Sequence, residues 1–140
     1  MRTLLDLQIA RDLSKDSGLS EADYDVLSTL SEKPEGCWRA RDLAAWLLWS
    51  TSRLAHHVGR MEQRGLVARQ PSADDGRGAL ISLTEDGWIT LRKAAPPHVA
   101  SVRRHMIDLL TADEVAALDT IAAKVITHLA GQVPTDLPPR

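Results

Sequence analysis

The chain has 140 residues, 44% of them hydrophobic and 26% charged, with a net charge of −2, which is the profile of one globular domain with a buried core. Its apolar runs are only a few residues long, which excludes a membrane-spanning helix. The opening MRTLLDLQIARD carries acids and no small-residue cleavage site, so it is not expected to be a signal peptide. A single cysteine, Cys37, excludes an internal disulfide and fits a reducing cytoplasm.

The charge is unevenly distributed. Residues 1–38 hold four basic and eight acidic side chains, residues 39–78 seven and four, and residues 79–140 six and seven. A basic middle between acidic flanks points to one face that meets a polyanion.

Leu4, Leu5, Ile9 and Leu13 lie near helical spacing and predict a first helix that stops at Gly18. Ser20 and Asp23 then resemble a capping box, with Asp in place of the usual Glu. Val26, Leu27 and Leu30 supply the buried stripe of that helix, and Pro34 and Gly36 break it. The segment CWRARDLAAWLLW reads as a further helix with Leu43, Ala44 and Leu47 on one face. Trp49-Ser50-Thr51 is a turn of the length that joins the two helices of a helix-turn-helix.

The next helix, over 50–65, takes Ser50 or Ser52 as N-cap and Gly65 as its stop. Leu54, Val58 and Met61 form its buried stripe. Ser52, Arg53, His56, Arg60 and Arg64 fall on the other faces, with His57 at the boundary. LVARQ and ALISLT then alternate as strands around PSADDGRG, a loop whose glycines mark a hairpin. A hairpin appended to a helix-turn-helix is a wing.

Thr84 opens another helix, interrupted at Pro96-Pro97 and resumed by HVASVRRHMIDLL, which predicts one long kinked helix. Thr111 and Glu114 form a capping box for the last helix. Val115, Leu118, Ile121, Ala122, Val125 and Leu129 give that helix a wide apolar side ending at Gly131, and PTDLPPR is expected to fray.

The fold expected is mainly α with a small β-hairpin wing: a winged helix-turn-helix plus a helical dimerisation region. Residues 1–18 form an N-terminal dimerisation helix, 19–87 the DNA-binding domain, and 88–140 the C-terminal dimerisation helices. Monomers seldom leave an apolar stripe as wide as that of the last helix uncovered, which independently argues for a homodimer.

A helix-turn-helix places its second helix in the major groove of double-stranded DNA. Short hydroxyls and helix N-terminal amides suit phosphates, so Ser50, Thr51 and Ser52 are candidate phosphate contacts. Arg53 is a candidate for bidentate contact with guanine. His56, His57 and Arg60 add base or phosphate contacts, and Arg39 and Arg41 extend the basic set. A winged helix that binds protein instead would show apolar or acidic side chains here, whereas this face carries Ser, Thr, Arg and His. An anti-repressor that pairs with a related regulator is the other alternative.

GLSEADYDVLSTL, RDLAAWL, STSRLAHHVGRMEQRGLV, DDGRGALISLTEDG and TADEVAAL together resemble, in order and spacing, the MarR (multiple antibiotic resistance regulator) family. The most specific parts are RMEQRGLV, and Asp75-Gly76-Arg77-Gly78 followed by Leu83-Thr84 and Gly87. The resemblance implies a homodimeric winged-helix transcription factor, usually a repressor, that binds pseudo-palindromic DNA. Many members release DNA on binding a small aromatic effector. It gives helix 50–65 the recognition role, puts Arg77 at the wing tip in the minor groove, and makes Asp75 the acid that orients Arg77. Tyr24, Trp46 and Trp88 are the aromatic groups expected to wall an effector pocket.

Other chemistries find little support. His98 and His105 lie seven apart, not at the i, i+4 spacing of a zinc helix, and no further ligand completes a site. Cys37 precedes the helix-turn-helix, whereas the redox-sensing members carry theirs in the first helix, so it is expected to be an inert thiol. There is no G-x-S-x-G, no phosphate loop and no nucleophile paired with a base, so neither an enzyme nor a cofactor is expected.

Overall fold

The computed structural model describes residues 2–72 and 78–130. Six helices and three strands follow in the order α1 (Arg2–Ser17), α2 (Glu21–Ser31), β1 (Cys37–Arg39), α3 (Ala40–Trp46), α4 (Thr51–Gln63), β2 (Val67–Pro71), β3 (Ala79–Leu83), α5 (Glu85–His105) and α6 (Ala112–Ala130). A short 3-10 turn, Ile107–Leu109, joins the last two helices.

The capping box of α2 forms as the residue pattern demands. The Ser20 hydroxyl accepts from the Asp23 amide at 3.1 Å, and the Asp23 carboxylate accepts from the Ser20 amide at 3.0 Å. Thr111 and Glu114 make the matching reciprocal pair ahead of α6. Val26, Leu27 and Leu30 of α2 are buried against Leu43 and Ala44 of α3 and Leu54, Val58 and Met61 of α4. Each of these Val, Leu and Met side chains stabilises the fold by roughly 1.5–3 kcal/mol on burial.

Two differences from the sequence reading stand out. Cys37 to Arg39 form a strand, not the start of a helix. They pair antiparallel with β3, Trp38 opposite Ile81, and turn the expected two-stranded hairpin into a three-stranded sheet ordered β1-β3-β2. The turn between α3 and α4 comes earlier than Trp49-Ser50-Thr51. Leu48 adopts a left-handed φ of 56°, while the Trp49 amide donates to the Ala44 carbonyl at 2.8 Å and the Leu48 amide to that of Ala45 at 3.1 Å. This is a Schellman closure, with leucine where glycine is usual. As expected, α5 is one long helix that continues through Pro96 and Pro97. The carbonyls that lose their i+4 donors belong to Arg92 and Lys93, both exposed, so water can satisfy them.

α5 is the spine of the molecule. At its start the Thr84 hydroxyl donates to the Gly65 carbonyl at 2.6 Å and accepts from the Gly87 amide at 3.0 Å, tying it to the end of α4. Gly65 holds the φ of 73° that this corner needs. Towards its end, α5 holds α1 through Asp12. That carboxylate accepts from Ser101 Oγ at 2.7 Å, Arg104 at 2.8 Å and Gln8 at 3.1 Å, and lies 2.9 Å from His105 Nε2. The Ser101 hydrogen bond is the main cause, with His105 next, of a carboxyl pKa far below its ordinary value, and burial opposes this only in part.

A depressed carboxyl pKa stabilises the fold above the ordinary carboxylate range and loses that contribution as pH falls below it. Asp12→Asn should therefore melt below the wild type at pH 7, and the gap should narrow on acidification towards pH 3. Thermal unfolding followed by circular dichroism across that range decides it; a gap that stays constant would assign Asp12 a packing role only.

Candidate nucleic-acid interface

α4 begins at Ser50, whose hydroxyl accepts from the Arg53 amide at 3.1 Å. Its buried stripe turns inward, which leaves two parallel rows outside at i, i+4, i+7, i+11 spacing. Ser52, His56, Gly59 and Gln63 make the outermost row. Arg53, Arg60 and Arg64 make the row beside it, along the edge nearer α2, with the buried His57 at the same spacing between them. Thr51, Ser52, Arg53, His56, Arg60 and Gln63 are all exposed. Gln63 was not among the sequence-predicted contacts, although its spacing from Ser52 and His56 identifies it.

The wing is braced against the other edge of α4. The Arg69 amide donates to Glu62 Oε1 at 3.2 Å, and its guanidinium donates to the Ala55 carbonyl at 3.1 Å. The Ser72 amide donates to the Gly78 carbonyl at 2.8 Å, closing the hairpin base. A cleft of about 280 Å³ separates helix from wing, with Arg41, Thr51 and Arg69 among its lining. Arg39 is exposed at the end of β1. Asp75 and Arg77 lie outside the described residues.

His57 is the correction. Expected among the DNA contacts, it is buried. Its Nε2 lies 3.0 Å from Asp23 Oδ1, and its Nδ1 is 2.9 Å from an Arg60 guanidinium nitrogen. Burial pulls its pKa down, Arg60 and Arg53 add to that, and the Asp23 charge opposes them. Asp23 is itself buried. Burial pushes its carboxyl pKa up, but the Arg64 guanidinium at 2.8 Å and the Ser20 donors outweigh that and hold it below the ordinary value. A buried ring between these partners belongs to the support of α4, not to its outer surface.

Arg53 is exposed, but its guanidinium lies over the Trp49 ring, 4.1 Å from the centroid. The expected pocket aromatics do not converge. Tyr24 packs at a tilt against His98 at 4.2 Å, Trp46 tilts against Trp38 at 5.5 Å, and Trp88 packs beside Gly36. A cavity of about 640 Å³ lies elsewhere, between α1, the end of α5 and α6, and is lined by Leu4, Leu5, Met106, Leu109, Leu118 and Ile121 among others.

Two helices joined by a tight turn, a three-stranded sheet with a wing and a basic, hydroxyl-rich second helix define a winged helix-turn-helix protein. A MarR family model matches residues 17–78. AbsC, a MarR family transcriptional regulator from Streptomyces coelicolor, is 43% identical, with 93% of this chain and 87% of that one covered at a TM-score of 0.85. Sco3205 from the same organism, a MarR family transcriptional regulator whose structure was solved in complex with DNA, is 36% identical, with 98% and 88% covered at a TM-score of 0.86. The HTH-type transcriptional regulator PecS from Dickeya dadantii (strain 3937) is 27% identical over 113 residues, 79% of this chain and 67% of that protein. The chain belongs to the MarR family and is a DNA-binding transcriptional regulator. No described helix is long and apolar enough to cross a membrane.

Proposed function

We propose that the protein is a cytoplasmic repressor that binds a pseudo-palindromic operator as a homodimer, with α4 in the major groove, and acts by binding rather than catalysis. The outer row Ser52, His56, Gly59 and Gln63 carries this reading. Its residues are short or polar, with Ser52, His56 and Gln63 exposed and Gly59 half-buried, and they stand where a groove-inserted helix meets base edges. Ser50, Thr51, Arg53 and Arg60 flank that row and suit the phosphates on the groove walls. Arg39, Arg41 and Arg77 extend the contact towards the sheet and wing, and Asp75 orients Arg77. A small aromatic effector is the expected releasing ligand. Tyr24, packed against His98 between α2 and α5, is the aromatic surface it would meet.

Selection of bound duplexes from a random pool tests the reading. The expected product is a site with two inverted half-sites centred about one DNA turn apart. A pool that returns no preferred sequence refutes it. On the selected site, Arg77→Ala should weaken binding and lower the salt slope by about one unit. An unchanged slope, measured by fluorescence anisotropy from 50 to 300 mM salt, would remove Arg77 from the contact surface.

A further inference from the structure

One buried carboxylate reaches most of the basic row on α4. Asp23, only 4% exposed, is at once the capping residue of α2 and the anchor of α4. Its Oδ2 accepts from Arg64 at 2.8 Å, and its Oδ1 faces His57 Nε2 at 3.0 Å. On the far side of the ring, Arg60 Nη2 lies 2.9 Å from His57 Nδ1. A guanidinium is a donor only, so Nδ1 must be the acceptor and the ring proton must sit on Nε2, facing the carboxylate. The ring edge also packs on Trp49 at 5.5 Å, and Trp49 carries the Arg53 guanidinium on its face.

From this arrangement we infer that Asp23 and His57 are positioning residues for Arg60. The Asp23 charge, 3.0 Å from Nε2 but out of line for a hydrogen bond, favours the Nε2–H tautomer of His57 electrostatically, and the Nδ1 lone pair holds the Arg60 guanidinium in place beside the outer row. A free arginine side chain loses rotamer entropy when it is ordered on DNA. Arg60, already held in the folded protein, loses less. The inference rests on α4 reading DNA, and it adds a device for presetting one of that helix's contacts.

Two substitutions separate this role from packing. Asn places an acceptor oxygen where Nδ1 stood but does not reach Asp23. Gln is closer to histidine in volume and reaches Asp23 but offers nothing at the Nδ1 position. On the selected operator, Arg60→Ala should weaken wild-type binding about tenfold, the scale of one charge-assisted contact. In a His57→Asn background the loss should stay above fivefold; in a His57→Gln background it should shrink below twofold. Equal losses in the two backgrounds, or the reverse ranking, overturn the inference. A wild type that binds operator and scrambled duplex alike instead refutes DNA reading itself. A second measurement needs no variant: long-range 1H–15N correlation on the free wild-type protein should find the His57 proton on Nε2, and a proton on Nδ1 would overturn the inference.

Discussion

Gly87→Ala should unfold this protein more readily than almost any other single-methyl addition, by more than about 3 kcal/mol, above the usual range for overpacking. Gly87 sits in the first turn of α5, its amide bonded to the Thr84 hydroxyl. A Cβ there would lie inside the contact distance of the Leu66 carbonyl oxygen, and 3.1 Å from both the Leu66 carbonyl carbon and Leu83 Cδ2. The Leu66 carbonyl cannot step aside, because it accepts from the Thr84 amide at 3.3 Å and belongs to the corner that ties α4 to α5. Relief would require moving α5 away from the sheet. Gly59→Ala is the control, since nothing lies within 4 Å of a Cβ there. In a helix interior that change should stabilise by about 0.5–1 kcal/mol. Thermal melts of both variants at one protein concentration test the pair. A Gly87→Ala melting point within 2 °C of wild type would mean that the corner is soft.

Ile121→Glu should convert a dimer of about twice 15.4 kDa into monomers and lower operator affinity by roughly a hundredfold or more, since two linked half-site contacts become independent. None of the 19 residues of α6 is buried within the chain. Ile121 is 58% exposed, Ile126 61% and Leu129 52%, while Leu4 on α1 and Leu109 before α6 are 73% and 74% exposed. A helix so bare has little packing of its own within the chain, and in the proposed homodimer a second copy would supply the missing surface. In a two-fold interface the substitution puts two carboxylates into the apolar contact at once. Light scattering and anisotropy on the same sample check both parts. An intact dimer would place the interface away from Ile121.

The sequence was most legible where a few neighbouring residues decide the outcome. Ser20 with Asp23, Thr111 with Glu114, and Gly65 each fix a helix end by local hydrogen bonds or local backbone freedom, and each is found where expected. β1 was not legible. Three residues carry no periodicity, and Cys37 to Arg39 become a strand only because β3, more than forty residues away, offers them an edge. The turn at Leu48 was displaced for a related reason: no glycine or proline marks it, and a leucine accepts the left-handed conformation under the pull of the surrounding hydrogen bonds. His57 was misjudged because periodicity alone leaves it between two faces. What draws it inward is Asp23, a partner on another helix. The tryptophans were read by type alone, and type does not say which of them meet.

The 21-residue α5 joins the bare end of the molecule to the wing corner, so it works as a lever. At 1.5 Å per residue it is roughly 30 Å long, and a tilt of about 5° at the α6 end would carry the Thr84 end by about 2.6 Å. The knot of Thr84, Gly65 and Leu66 passes that displacement directly to the end of α4. In a two-fold pair both levers tilt together, and the spacing of the two recognition helices changes by up to twice as much. In the proposed homodimer, a small change in how the two copies meet would thereby become a mismatch with the pitch of DNA.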